Sequence, residues 1–283
     1  AQKLTNALGE RVHPTALDDA PSYQALSEYL IKYYPDSIRR IDPGIQTPLT
    51  SLHSAPITEN DLKRLRQWFS RSGETPLAHH SKLSQKAIFI LSAPRSGSTL
   101  LRVMLSGNPS LIAPPELNLL GFDTMSERAR AYSGRYENQG HGLIQAFMHI
   151  YGYSIQQAKE TISDLAASGA SVAECYRLLL HNNAGNFLVD KSTSYAFDRS
   201  ALRRAEQIFE NPLYIHLTRH PGGMICSSVE ARLDRLLFGG AYTWDPARFA
   251  EMIWLLCERN ITESLSEIPV ERKHLVSFED LVK

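Results

Sequence analysis

The chain has 283 residues, of which 43% are hydrophobic and 21% charged, and its 30 basic and 30 acidic side chains cancel. This composition is typical of a globular protein that is long enough to bury a sizeable core. A net charge of zero argues against a nucleic acid or an anionic membrane as partner. Any anionic ligand must therefore be held by local positive charge.

Apolar runs and cysteines indicate the setting in which the chain works. The longest apolar runs, such as residues 87–91, are far too short to span a bilayer, and the first residues lack the pattern of a secretory signal. The three cysteines, Cys175, Cys226 and Cys257, lie far apart, without the close pairs of a zinc site or a disulfide framework. We therefore expect a cytoplasmic location, no membrane contact and no metal.

The first 85 residues differ in character from the rest. Pro21 and Ser22 precede an amphipathic segment, 23–34, and this order predicts a helix. Residues 35–60 are rich in Pro, Ser and Thr, as in a linker, and a short charged helix is predicted at 59–69. The predicted organisation is a helical segment at 1–34, a Pro-rich linker with a short helix at 35–85, and one larger domain at 86–283.

The larger domain alternates strands with helices. Continuous apolar runs predict buried strands at 87–91, 187–189 and 213–217, with a last strand at 274–278. Helical patterns lie between and after them, at 100–105, 171–181, 201–209 and 246–265. This alternation predicts an α/β fold with a central parallel sheet flanked by helices.

The loop after the first strand has the composition of an anion-binding loop. It reads Ser-Ala-Pro-Arg-Ser-Gly-Ser-Thr over residues 92–99 and leads into a helix, whose N-terminus and free backbone N–H groups suit a phosphate or sulfate. Compared with the nucleoside-triphosphate loop, Gly97 and Thr99 are kept, Ser98 replaces the lysine, and the cation is Arg95. The missing lysine disfavours ATP or GTP. A Ser/Gly turn that binds no ligand is the alternative.

Two further strand ends carry cations. Lys191 follows the strand at 187–189, and Arg219 follows the strand at 213–217, with Ser227 eight residues later. The carboxyl ends of parallel strands meet at one edge of a sheet, where ligands bind. Each residue also has a simpler interpretation, because Arg219 could pair with a nearby aspartate and Lys191 could be a solvated loop charge.

Together these segments resemble the sulfotransferases that use 3′-phosphoadenylyl sulfate. Residues 92–101 are similar to the family's 5′-phosphosulfate loop, Arg219 and Ser227 to its 3′-phosphate motif, and residues 276–281 (V-S-F-E-D-L) to a stretch common near its C-terminal end. The resemblance implies a P-loop-like fold with a helical cap, and a product, adenosine 3′,5′-bisphosphate, formed without a metal. It also implies which residues hold this donor: Arg95, Ser96, Gly97, Ser98, Thr99, Leu100, Arg219 and Ser227.

Within the family, the chain is similar to the group that includes tyrosylprotein sulfotransferases and bacterial sulfotransferase domains, because a later R-K-G-type segment is absent. Lys191 matches a cation of the tyrosylprotein branch, and the resemblance gives it the role of stabilising the leaving phosphate together with Arg95. Glu116, 21 residues after Arg95, matches that branch's catalytic glutamate. His141 and His149 are alternative bases, and Glu116 could instead simply start a helix.

The front of the chain has a resemblance of its own. Residues 4–30 are similar to the tail of an acyl carrier domain from a modular polyketide synthase, although Asp18 replaces an apolar residue there. This similarity implies a sulfotransferase domain that sulfates a 3-hydroxyacyl chain on an acyl carrier protein before elimination to a terminal alkene. Its partners would be the carrier and the neighbouring domains of the megasynthase.

Other functions stay open from the sequence alone. The acceptor could be another small molecule, a glycan or a tyrosyl peptide, and residues 4–30 could be an ordinary helix packed on the catalytic domain. A P-loop kinase and a non-catalytic synthase domain are alternatives of a different class.

Overall fold

The computed structural model describes residues 2–9, 22–42, 56–69, 81–181, 186–238 and 244–283. The chain divides into two compact units. The smaller comprises residues 1–56 and 226–248, and the larger comprises residues 57–225 and 249–283. The domain boundaries predicted after residues 34 and 85 stay predictions.

The larger unit is built around a parallel sheet of five strands in the order β2-β3-β1-β4-β5. The strands are β1 Ala87–Leu91, β2 Leu111–Ile112, β3 Phe187–Asp190, β4 Leu213–Thr218 and β5 Lys273–Ser277. The predicted α/β fold with a central parallel sheet is confirmed. The chain runs to one side of β1 and then to the other, and sheets with such a reversal bind ligands at the carboxyl ends of the strands beside it, here β3, β1 and β4.

Helices connect the strands. In chain order the α-helices are α1 Gln2–Leu8, α2 Tyr23–Tyr33, α3 Pro35–Ile41, α4 Glu59–Phe69, α5 Ser98–Ser106, α6 Met125–Ala131, α7 His141–Tyr151, α8 Ile155–Ala167, α9 Val172–His181, α10 Arg199–Ile208, α11 Pro221–Glu230, α12 Leu233–Phe238, α13 Pro246–Ser266 and α14 Phe278–Leu281. Short 3₁₀ helices lie at Gly134–Gly140, Thr193–Phe197 and Val270–Arg272.

Side chains on both faces of β1 are buried, as its apolar sequence predicts. Ile90 packs with Val189, Leu217 and Leu101 of α5 on one face. On the other face, the Phe89 ring contacts a group of aromatic rings: Tyr176, Tyr195, Phe209 and Tyr214. Burial of apolar area on two faces stabilises the central strand, so the residues that follow it are held on a rigid element.

A helical region, α6 to α9, occupies the chain between β2 and β3. Capping boxes start three of its helices, Thr124 with Glu127 at α6, Ser154 with Gln157 at α8 and Ser171 with Glu174 at α9. Each box satisfies backbone N–H groups that a helix start leaves without a partner. This region corresponds to the predicted helical cap.

The smaller unit contains α1, α2 and α3. Ser22 caps α2 by accepting a hydrogen bond from the Ala25 N–H at 3.1 Å, as its position predicts, and Leu8 and Tyr29 are buried together. Composition alone does not predict α3, because the prolines of residues 35–60 indicate a linker. Proline is tolerated in the first turn of a helix, and that is where Pro35 lies. Residues 43–55 of the linker and 10–21 of the carrier-like segment lie outside the described residues.

Within the described ranges, no helix has both the length and the apolar character needed to cross a membrane.

Candidate active site

The loop predicted to bind an anion joins β1 to α5 at the carboxyl edge of the sheet. Gly97 takes a left-handed conformation (φ 87°) at the start of α5, and no side chain caps the helix there. A Cβ at Gly97 would lie 2.3 Å from the ring of Phe278, so position 97 requires glycine for its backbone angle and for space. The uncapped helix start leaves N–H groups and positive potential for an anion.

Two buried hydroxyls of this loop also lack a hydrogen-bonding partner. Ser92 and Ser96 are 1% and 0% exposed, and neither Oγ atom has a partner in the described structure. A buried polar atom without a partner is destabilising, and such atoms are often found at binding sites. Arg95 is exposed and has a positive φ of 64°, which is uncommon for a residue other than glycine. The loop therefore fits a ligand with several anionic oxygens.

Lys191 connects this loop to Glu116. Its Nζ donates to Glu116 Oε1 at 2.6 Å and to Thr99 Oγ1 at 3.3 Å. The Lys191 side chain is only 4% exposed, whereas the Glu116 side chain is 44% exposed. Three residues that lie far apart in sequence therefore meet at the carboxyl edge, with the cation buried and the carboxylate accessible.

The backbone around Glu116 is fixed by contacts on both sides. The Arg102 guanidinium donates to the Ala113 carbonyl at 2.6 Å, and the buried Arg128 donates to the Leu117 carbonyl at 2.8 Å. Burial lowers the pKa of Arg128. Gly142 of α7 lies against Glu116 so closely that a Cβ there would be 1.9 Å from the Glu116 carbonyl oxygen. The helical cap thus contacts the backbone of the candidate base directly.

Arg219 lies beside the loop, as predicted from its position at the end of β4. Its guanidinium donates to the Arg95 carbonyl at 2.7 Å and stacks over the Phe278 ring, 4.5 Å from the centroid. The turn that follows is held by Glu279, which accepts from the His220 N–H at 3.0 Å; this bond lowers the pKa of the Glu279 carboxyl. Ser227 lies on α11, and its predicted contact with the 3′-phosphate stays a prediction.

The two histidines proposed as alternative bases are not bonded to this cluster. His141 is the first residue of α7, next to Gly142, and is exposed. His149 lies on the same helix and lines a cavity of about 440 Å³. Among the described contacts, no hydrogen bond or ion pair joins either ring to Lys191 or Glu116. The geometry therefore favours Glu116 over both, although the assignment of the base stays a prediction.

Comparisons with known proteins agree with this geometry. The sulfotransferase family profile matches residues 87–283. The chain belongs to the sulfotransferase family. A solved sulfotransferase domain from the curacin biosynthetic pathway is 43% identical, covers 71% of this chain and 70% of its own, and superposes with a TM-score of 0.67. A sulfotransferase domain from the Synechococcus PCC 7002 olefin synthase is 36% identical, and the match covers 74% of this chain and 72% of that domain, with the same TM-score of 0.67. No curated protein matches significantly.

Several residues that build this sulfotransferase site were not found from the sequence. Phe278 belongs to the V-S-F-E-D-L stretch used for the resemblance, but its contact with both Gly97 and Arg219 was not expected. Gly142 and Asn118, which has a positive φ of 49°, were not singled out either. Gly142 lies in the first turn of α7, where alanine would be more favourable, and this glycine was the available signal.

No metal cluster accompanies the site in the part of the chain that the structure describes: no three His, Cys, Asp or Glu side chains there are grouped to hold an ion.

Proposed function

We propose that this sulfotransferase transfers the sulfuryl group of 3′-phosphoadenylyl sulfate to the 3-hydroxyl of an acyl chain on an acyl carrier protein. The observation that carries the proposal is Lys191, whose Nζ contacts both the Glu116 carboxylate and the Thr99 hydroxyl of the anion-binding loop. A cation, a carboxylate and an anion-binding loop in contact are the groups that sulfuryl transfer to an alcohol requires.

The residues of the loop fit the donor's phosphosulfate. The N–H groups at the start of α5, the Ser92 and Ser96 hydroxyls and the Arg95 side chain would hold its oxygens. Arg219, bonded to the loop at the Arg95 carbonyl, would hold the 3′-phosphate. The donor supplies an activated sulfuryl group, whose S–O bond to phosphate breaks as the acceptor oxygen bonds to sulfur.

In this proposal Glu116 takes the proton of the acceptor hydroxyl as that oxygen attacks sulfur. Its side chain is the more exposed partner of the ion pair, so an acceptor can reach it. Lys191 stabilises the negative charge that develops on the leaving phosphate, and its burial strengthens that interaction. The helix start and the two cations position the reacting groups, which is the main requirement of such a transfer.

A cavity lined by the segment that leads to Glu116 supports an acceptor on a flexible arm. Its volume is about 440 Å³, and Pro115, which precedes Glu116, forms part of its wall. The apolar wall residues are Leu111, Ile112, Ala113, Pro114 and Pro115, and the polar ones are Arg102, Ser106, Gln145 and His149. An apolar wall with a few hydrogen-bonding groups suits a phosphopantetheine arm with its two amides and its phosphate.

The two similar domains support the same kind of acceptor, since one comes from the curacin biosynthetic pathway and the other from an olefin synthase. We infer from this that carrier-bound intermediates of polyketide biosynthesis, rather than glycans or tyrosyl peptides, are the acceptors. A P-loop kinase is disfavoured by Ser98 in the position of the phosphate-binding lysine.

The acceptor is tested by intact-protein mass spectrometry of a carrier loaded with a 3-hydroxyacyl chain. We expect a mass gain of one sulfuryl group that requires both the donor and the 3-hydroxyl, with a carrier bearing the 3-deoxy chain as control. Free alcohols should react poorly, because attachment to a linked carrier raises the effective concentration into roughly the millimolar range and makes tight acceptor binding unnecessary. An unmodified carrier combined with rapid sulfation of phenols or tyrosyl peptides would contradict the proposed acceptor and leave the sulfotransferase activity standing.

Replacing Arg219 by alanine should weaken the binding of adenosine 3′,5′-bisphosphate more than the binding of adenosine 5′-monophosphate. The loss of one charge-assisted contact costs about 1.5–3 kcal/mol of binding free energy, which corresponds to a roughly 10- to 150-fold lower affinity for the bisphosphate. Some loss for the monophosphate is also expected, since Arg219 holds the Arg95 carbonyl of the loop. Calorimetry with both nucleotides measures this difference, with the exposed Arg203→Ala as control. Equal losses for the two nucleotides would show that Arg219 does not bind the 3′-phosphate.

A further inference from the structure

A buried carboxylate stands directly before Lys191 and is bonded to three hydroxyls. Asp190, at the end of β3, is fully buried and accepts from Tyr176 Oη at 2.5 Å, Tyr195 Oη at 2.8 Å and Ser192 Oγ at 2.8 Å. Burial raises the pKa of Asp190, while the hydrogen bonds and the Lys191 charge act against that rise. A buried charge is stabilised only when such partners are present, so the three hydroxyls have their protons directed at Asp190.

Two of these hydroxyls also accept hydrogen bonds from the segment that follows Glu116. The Leu119 N–H donates to Tyr195 Oη at 2.9 Å, and the Leu120 N–H donates to the same oxygen at 3.3 Å. The Asn118 N–H donates to Ser192 Oγ at 2.9 Å. Three consecutive amides of the Glu116 segment therefore end on oxygens whose protons are given to Asp190.

Tyr176 differs from Tyr195 in this respect. Both rings are fully buried, both hydroxyls bond to Asp190, and the two oxygens lie 3.4 Å apart. Only the Tyr195 hydroxyl is bonded to the Glu116 segment. The two tyrosines thus share one environment, but of the two it is Tyr195 that connects the end of β3, beside Lys191, to the segment that follows Glu116.

We propose that Tyr195 is a positioning residue of the transfer reaction, and that its hydroxyl fixes Glu116 relative to Lys191 through Asp190. The proposal rests on the proposed roles of Glu116 and Lys191. Side chains that lock the supports of a catalytic group control its geometry, and a displacement of about 1 Å can reduce turnover by about 10²-fold. Arg128 still holds the Leu117 carbonyl when the tyrosine hydroxyl is removed, so the segment should loosen rather than unfold.

The experiment compares Tyr195→Phe with Tyr176→Phe as the matched control. We expect Tyr195→Phe to lower kcat by about tenfold or more, with the affinity for adenosine 3′,5′-bisphosphate unchanged. Tyr176→Phe, which also removes one hydroxyl from Asp190, should retain kcat within about twofold. Equal kcat for the two variants would overturn the proposal, because loss of any bond to Asp190 would then have the same result.

A double-mutant cycle separates positioning from a general structural effect. If Tyr195 acts through Glu116, its replacement should have little further effect on kcat in a Glu116→Gln background. If the two residues act independently, the fold-losses of the two single variants should multiply in the double variant. A multiplicative result contradicts the proposal while leaving the role of Glu116 intact. A Glu116→Gln variant with normal kcat would contradict the proposed base itself. Should Tyr195→Phe not fold, Ser192→Ala takes its place, because it removes the parallel link from Asn118 to Asp190. Its kcat is then compared with that of Tyr176→Phe.

Discussion

The Glu116→Gln variant should turn over about 10²–10⁴-fold more slowly than the natural chain, the usual range for loss of a general base. Glutamine has nearly the same shape, and its amide oxygen can still accept the hydrogen bond that Lys191 donates at 2.6 Å. The geometry of the site should therefore persist while the group that takes the acceptor's proton is lost. The affinity for adenosine 3′,5′-bisphosphate, measured by calorimetry, should stay unchanged, and the rate of carrier sulfation should carry the whole effect.

Glu160→Gln is the matched control for this prediction, since Glu160 is an exposed glutamate on α8 bonded to Gln156. It should leave both turnover and nucleotide binding unaltered. His141→Asn and His149→Asn test the two alternative bases. Normal turnover by Glu116→Gln, together with an inactive histidine variant, would show that the base had been assigned to the wrong residue.

The features that sequence predicted are those set by local pattern. The strands at 87–91 and 213–217 are short, mostly apolar runs whose side chains are buried or half-buried, so composition and length were enough to predict them. Arg95, Lys191 and Arg219 follow three neighbouring strands of the sheet. Parallel strands place their carboxyl ends at one edge, and so the topology alone brings these cations to the same edge.

What the sequence did not predict depends on contacts between distant segments. Glu116 follows β2, a strand of two residues that is too short to show a period. The ion pair of Glu116 with Lys191 joins residues 75 positions apart, and the Tyr195 bond to Leu119 joins residues 76 apart. Phe278 similarly reaches Gly97 from the other end of the domain. No local pattern encodes such pairs, although family resemblance had already indicated Glu116 and residues 276–281.

Gly142→Ala should displace Glu116 and lower turnover by about 10²-fold, an effect expected for a catalytic group moved by roughly 1 Å. The new Cβ would lie 1.9 Å from the Glu116 carbonyl oxygen and 2.7 Å from its carbonyl carbon. Backbone atoms cannot rotate away as a side chain does, so either α7 or the Glu116 segment has to move. Overpacking of this kind costs about 1–3 kcal/mol of stability. Alanine stabilises a helix by about 0.5–1 kcal/mol relative to glycine, so a loss of stability in Gly142→Ala would come from the clash.

Gly140→Ala serves as the control for Gly142→Ala, two residues earlier in the same segment. A Cβ at Gly140 would lie 3.7 Å from its nearest neighbour, the Tyr132 Cβ, and the backbone φ of −81° is one that alanine adopts readily. This variant should melt and turn over like the natural chain. Nucleotide binding should be the same in both variants, because the three atoms nearest to a Cβ at Gly142 all belong to Glu116 and none to the loop at 92–99. If Gly142→Ala matched Gly140→Ala in melting temperature and in turnover, the cap helix would not be what holds the Glu116 backbone. A loss of turnover confined to Gly142→Ala would show that α7 sets the position of the base.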